Sequence, residues 1–250
     1  MTPQIPGYLV AFESTVRPLV AVIALGLIWA GAVRMQAPAW SRYTTAGVLS
    51  VALIAWVVVA QYLGSENAYF ATTETAVPTV LFGLLIPLGA AAVGLWRSGS
   101  VASLVSAIPL PWLVAAQIYR VGGGIFLMLW ADGRLPWQFA LPAGIGDVTT
   151  GVFAVVVAIL LAQKAPDARR AAYRWSFFGI ADLVVAITMG ALTSPGRAHL
   201  LAFDAPNLLI SSYPLVMVPT FAVPLALMLH GLVLWRLQRG TASKGQLAIA

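Results

Sequence analysis

Apolar residues in this chain neither alternate with polar ones nor keep to one helical face. They run on, seven times, until a cluster of polar residues and prolines stops them. The runs cover residues 18–33, 43–63, 77–96, 111–130, 139–163, 173–193 and 210–237. At ~1.5 Å per residue, helices of this length and all-round hydrophobicity suit a hydrocarbon core ~30 Å thick. Strands of a membrane barrel would alternate instead. The pattern therefore predicts an all-α bundle of seven transmembrane helices, one polytopic domain over residues 1–250. Trp112 and Trp130 bracket the fourth run, about 27 Å apart along a helix. Residues 101–110 read as an interfacial lead-in, because Pro109 and Pro111 break the helix there. The half-apolar loop 194–209 reads either as a short amphipathic lid or as an ordinary loop packed on its own helices. No positive charge precedes Arg17, so a cleaved signal peptide is not expected and the first run is read as retained.

Composition agrees with the pattern. Of 250 residues, 60% are hydrophobic and 9% charged, with a mean hydropathy of +0.90; soluble chains are about 25% charged. The net charge of +6 would suit nucleic acid only if the cations formed a patch, and here they sit in loops beside apolar runs. Arg34, Arg42, Arg97, Lys164, Arg169, Arg170, Arg174, Arg236, Arg239 and Lys244 fall in the odd loops and the C-terminal tail. Arg17, Arg134 and Arg197 fall in the N-terminal tail and the even loops. By the positive-inside rule this predicts an outside N-terminus and a cytoplasmic C-terminus. Arginine outnumbers lysine and alanine is abundant, which points to a bacterial inner (plasma) membrane. The absence of cysteine removes disulfides and thiolate metal sites.

One cation is left over. Arg120 lies inside the fourth run, ten residues from Trp130; Asp147 lies inside the fifth, ten residues from Trp137. The two tryptophans flank the turn Asp132-Gly133-Arg134-Leu135, so an antiparallel hairpin would put both charges ~15 Å below the interface. A charge at that depth costs about 3 kcal/mol and is paired as a rule. The same register sets Gln117 opposite Thr150, and Gly123 and Gly124 opposite Gly144 and Ala143. Gln117, Arg120, Asp147, Thr149 and Thr150 then line a polar cavity, or Arg120–Asp147 is a structural clip. Ala143, Asp147 and Gly151 recur every four residues, as small residues do where membrane helices approach closely. The glycines at 122–124 could unwind the fourth helix.

Gly179-Ile-Ala-Asp182 in the sixth run echoes Gly144-Ile-Gly-Asp147, a fragment short enough to arise by chance, although an inverted repeat would leave such a trace. Counted from Trp175 and Trp235 as interfacial anchors, Asp182 and His230 share a depth in the cytoplasmic half, where they could handle protons. Pro214, Pro219 and Pro224 predict a kinked last helix.

Two histidines at opposite ends argue against haem or a dinuclear metal, and no nucleotide loop or nucleophile elbow is present. No lysine on the last run could carry a retinal Schiff base. No cofactor is expected, nor nucleic acid; the expected partners are membrane lipid and a small solute. The leading expectation is binding or transport of a small solute, proton-coupled through Asp182 and His230, with Arg120 as ligand or gate charge. A non-catalytic sensor or assembly subunit is the alternative, and a membrane-embedded enzyme on lipid or quinone the third.

Overall fold

The first helix starts eleven residues before its hydrophobic run. α1 spans Gly7–Arg34 and carries both Glu13 and Pro18 in its interior. What holds its first turns is packing: Leu9 is fully buried among Ile125, Phe126, Leu129 and Leu215, and burial of that kind overrides weak local propensity. The computed structural model describes residues 3–74 and 78–247, the last eight as backbone alone. The expected start of the third span at Val77, and the side chain of Lys244, lie outside the described residues.

α2 (Ala39–Ser65) and α3 (Val80–Arg97) follow. The stretch expected as an interfacial lead-in is a helix, α4 (Gly99–Ala107), whose N-terminus is capped by the Ser98 hydroxyl accepting from the Val101 amide. Its last turn is closed by Arg236, which donates to the Val105 and Ile108 carbonyls at 2.9 and 2.6 Å. The fourth span, Leu110–Ala131, has three parts: α5 (Leu110–Ala115), a 3₁₀ segment (Ala116–Gly123) and α6 (Gly124–Ala131). α7 (Trp137–Ala162) and α8 (Ala168–Thr193) are continuous. The seventh helix does not begin at residue 210. Pro214 and Pro219 lack the amide donors a regular helix needs, so residues 209–217 hold only a 3₁₀ turn. The helical span opens as a π-wound turn, Val218–Ala222, and continues as α9 (Val223–Leu247).

Seven of these helices are long and apolar enough to cross a membrane, and the described residues form no strand. α7 is central, packed on α8, on the 3₁₀ segment, and on α5 and α6; α9 packs on α8, α3 and α5. Exposed rows such as Val51 and Ile54 on α2 or Leu85 and Ile86 on α3 are what contact with lipid tails requires. One end of the bundle, here the N-side, gathers residues 66–74, 78–79, 132–136 and 194–217; the other, the C-side, gathers 35–38 and 163–167. Loop 194–208 contains no helix. It is tied to α8 by the Asn207 amide donating to the Thr193 carbonyl and by the Ser194 hydroxyl donating to the Asn207 carbonyl. It is therefore a loop tied to the end of α8, without the short helix of an amphipathic lid.

Candidate functional site

Three glycines in succession, Gly122 to Gly124, give the middle of the fourth span little reason to stay α-helical, and it winds instead into a 3₁₀ segment of eight residues. At three residues per turn, side chains at i and i+3 eclipse. Gln117, Arg120 and Gly123 therefore stack on one buried face, turned toward α7.

Arg120 is 3% exposed, and every nitrogen of its guanidinium meets an acceptor. Nε donates to Asp147 Oδ1 at 2.7 Å, and Nη2 lies 2.7 Å from the same oxygen. Nη2 also donates to Asp182 Oδ2. Nη1 donates to the Gly179 carbonyl at 3.4 Å and faces His230 Nε2 at 3.2 Å. A guanidinium only donates, so His230 Nε2 accepts, and the neutral ring carries its proton on Nδ1. One arginine thus ties α7, α8 and α9 to the 3₁₀ segment. Buried charges are tolerated when they are paired and hydrogen-bonded in this manner.

Glycine makes the room. A Cβ on Gly146 would overlap the Asp182 carboxylate, one on Gly179 would overlap His230 Nε2, and one on Gly123 would overlap Asp147. Each polar side chain reaches the arginine through the space that a glycine on a facing helix leaves open. The echo between 144–147 and 179–182 has a physical counterpart, since both aspartates end on the one guanidinium.

Toward the C-side lies a second layer. Gln117 Nε2 donates to the Ala226 carbonyl at 3.4 Å, and Trp175 donates to the Thr150 carbonyl at 2.9 Å and packs against His230 with ring centroids 4.6 Å apart. Gln117 Oε1, Thr150 Oγ1, Ser176 Oγ and His230 Nδ1 are buried without a protein partner among the described residues. Gln117 and Thr150 belong to this layer; neither borders the two cavities at the arginine.

Those cavities meet on Asp147. The larger, about 100 Å³, begins on the N-side among Tyr69, Pro78 and Arg197 and descends between α3 and α8, past Leu84, Ala186 and Gly190, to Asp147. The smaller, about 50 Å³, lies between α1 and the 3₁₀ segment and is lined by Glu13, Arg17, Tyr119, Arg120 and Asp147. Asp147 is the open face of the cluster, its side chain 15% exposed against 2% for Arg120 and 7% for Asp182. Its Oδ2 makes no hydrogen bond among the described residues.

The expected depth of Asp182 and His230 needs correction. They do not form a separate pair nearer the C-side; they stand at the level of Arg120 and Asp147, and Arg120 lies between them. Trp175, taken as an interfacial anchor, is 5% exposed and bonded inside the bundle, so depths counted from it come out too shallow. Glu13 was missed, because the hydrophobic run was taken to begin after it. An acid four residues before Arg17, just after Leu9-Val10-Ala11-Phe12, was the available signal.

Comparison with curated proteins and with solved structures finds no match. A family model, a domain of unknown function (DUF8737), matches residues 75–238. The match takes in α3 to α8 and most of α9, with Arg120, Asp147, Asp182 and His230, while α1 and α2 precede it. Covering well over half the chain, it shows that this protein belongs to the DUF8737 family.

Proposed function

We propose that this is a multi-pass inner-membrane protein that binds and carries a small, mostly apolar cationic solute, with Asp147 as the group the solute meets. The observation behind this reading is the convergence of both cavities on Asp147, whose Oδ2 is open while its partner arginine is saturated. Arg120 has no donor left to offer a solute, so its role is to hold two carboxylates in place, not to act as ligand or gate. One guanidinium against two carboxylates leaves the cluster with a formal charge of −1. In a low-dielectric interior that surplus favours a cation.

The dimensions limit the solute. An apolar cavity of ~150 Å³ holds benzene, so a volume of about 100 Å³ suits an organic ion of a few heavy atoms. Orientation follows from charge: with Arg17 inside α1, the N-side loops retain Arg134 and Arg197 while the C-side keeps its ten cations, which supports an outside N-terminus. The larger cavity would then open outward.

A thermal-shift screen of the purified protein with small alkylammonium ions and their neutral isosteres tests the reading. Cations should raise the melting temperature saturably, and Asp147→Asn should abolish the rise. Equal shifts from neutral isosteres, or an unchanged response in Asp147→Asn, would overturn it. If no ion shifts the wild type, the sensor or assembly-subunit reading takes its place.

A further inference from the structure

We infer that Glu13 is a proton-binding site that works alongside the solute site, an assignment that rests on the reading of Asp147 above. Glu13 sits in the second turn of α1, 4% exposed, and faces the smaller cavity together with Arg17, Tyr119, Arg120 and Asp147. Those four are the charged and titratable groups around it. Arg120 is committed to Asp147 and Asp182. Tyr119 donates its hydroxyl to the Ala222 carbonyl at 2.9 Å. Arg17, one turn along α1, donates to the Tyr213 hydroxyl at 3.3 Å. No cation among the described residues is within ion-pair distance of Glu13.

Charge balance then assigns the proton. Arg197, at the N-side mouth of the larger cavity, is exposed and its charge is left to solvent. Deeper in, the two cavities are bordered by two guanidiniums, Arg17 and Arg120, and around them stand three carboxylates, Glu13, Asp147 and Asp182. One carboxyl must be protonated for the region to be neutral, and a low-dielectric interior strongly favours neutrality. Asp147 and Asp182 each accept from Arg120 and are the poorer sites for a proton. His230 Nε2 is occupied by Arg120. Glu13 is left, as the neutral acid.

The cavity between Glu13 and Asp147, about 50 Å³, has room for water but is small for an organic ion. Solute and proton therefore have separate seats that meet at Asp147. A cation arriving at Asp147 adds one positive charge, and the Glu13 carboxyl restores neutrality by releasing its proton to water as the carboxylate forms. The ligand of this second site is the proton, exchanged one for one against a monovalent cation.

Infrared spectroscopy of the solute-free protein in lipid tests this without knowledge of the solute. The chain has three glutamates, Glu13, Glu66 and Glu74, and the last two are exposed. At neutral pH the wild type should show a protonated-carboxyl C=O band that shifts in D₂O and shifts again on ¹³C-glutamate labelling. The band should vanish in Glu13→Gln, which mimics the neutral acid, and weaken in Asp147→Asn, where two guanidiniums face only two carboxylates and neutrality needs no proton. Absence of the band in the wild type would overturn the assignment. So would a band unmoved by glutamate labelling, which puts the proton on an aspartate; the alkylammonium thermal shift and its loss in Asp147→Asn decide the solute reading separately. The labelling arm uses unmodified sequence, so it decides the matter even if Glu13→Gln fails to fold.

Discussion

The carboxylate of Asp182 occupies the space in which Gly146 would carry a Cβ. The α7–α8 contact at this level is thus set by a polar group seated over bare backbone. Only with glycine at 146 can Asp182 reach Arg120, which makes Gly146 part of the ion cluster although it has no side chain.

Gly146→Ala should therefore act as a charge-cluster mutation. Overpacking of a tight interior costs about 1–3 kcal/mol, to which loosening of the Asp182–Arg120 contact adds. In Asp182→Ala the space is open, so the added methyl should cost much less. The check is thermal denaturation of the two single variants and the double in one detergent. Strict additivity would count against the steric relationship.

A second expectation concerns rank order. Asp147→Asn and Asp182→Asn each leave Arg120 one carboxylate, whereas Arg120→Gln strands both. Removing one side of a buried ion pair costs about 3–5 kcal/mol, so Arg120→Gln should be the least stable of the three. Asp147→Asn/Asp182→Asn added to Arg120→Gln should recover part of the loss. Melting temperatures decide it. Equal effects of the three single variants would mean that the guanidinium is not the shared centre.

Orientation can be read chemically, because the chain has no cysteine to interfere. A cysteine at Ser65, at the N-side end of α2, should react with an impermeant thiol reagent added to intact cells. One at Gln163, exposed at the C-side end of α7, should react only after permeabilisation. Ala168 would be a poor reporter, since it is buried. The reverse labelling pattern would invert the assignment of outside and inside.

These experiments fall where the sequence was least transparent. The long apolar runs could hardly become anything but spanning helices, and the shared depth of Arg120 and Asp147 could be counted from the turn at Asp132–Leu135. Two rules failed, each for a local reason. A tryptophan is a common marker of the interface, but Trp175 is a core residue whose indole N–H donates to the Thr150 carbonyl; counting from it separated Asp182 from Arg120. The first apolar run is bounded at residue 18, but α1 begins at Gly7, and that bound hid Glu13. The roles of Gly146 and Gly179 are set by what faces them, which no spacing within one helix reveals.

The last expectation uses the larger cavity, where filling space should move stability and binding in opposite directions. Ala186 lines the cavity on α8, one turn beyond Asp182 and facing Leu84 and Val218 across it. Ala186→Leu adds three carbons to an apolar space of about 100 Å³. Burying them where no atom must move should stabilise the solute-free protein by about 1 kcal/mol or somewhat more. The same carbons take the place a solute would need above Asp147, so the thermal shift produced by small alkylammonium ions should disappear. A general defect in folding would lower the baseline melting temperature, and a solute bound elsewhere would keep its shift. Melting curves of wild type and Ala186→Leu, with and without the ion, separate the cases. A raised baseline with an undiminished ion response would exclude the cavity between α3 and α8 as the solute's seat.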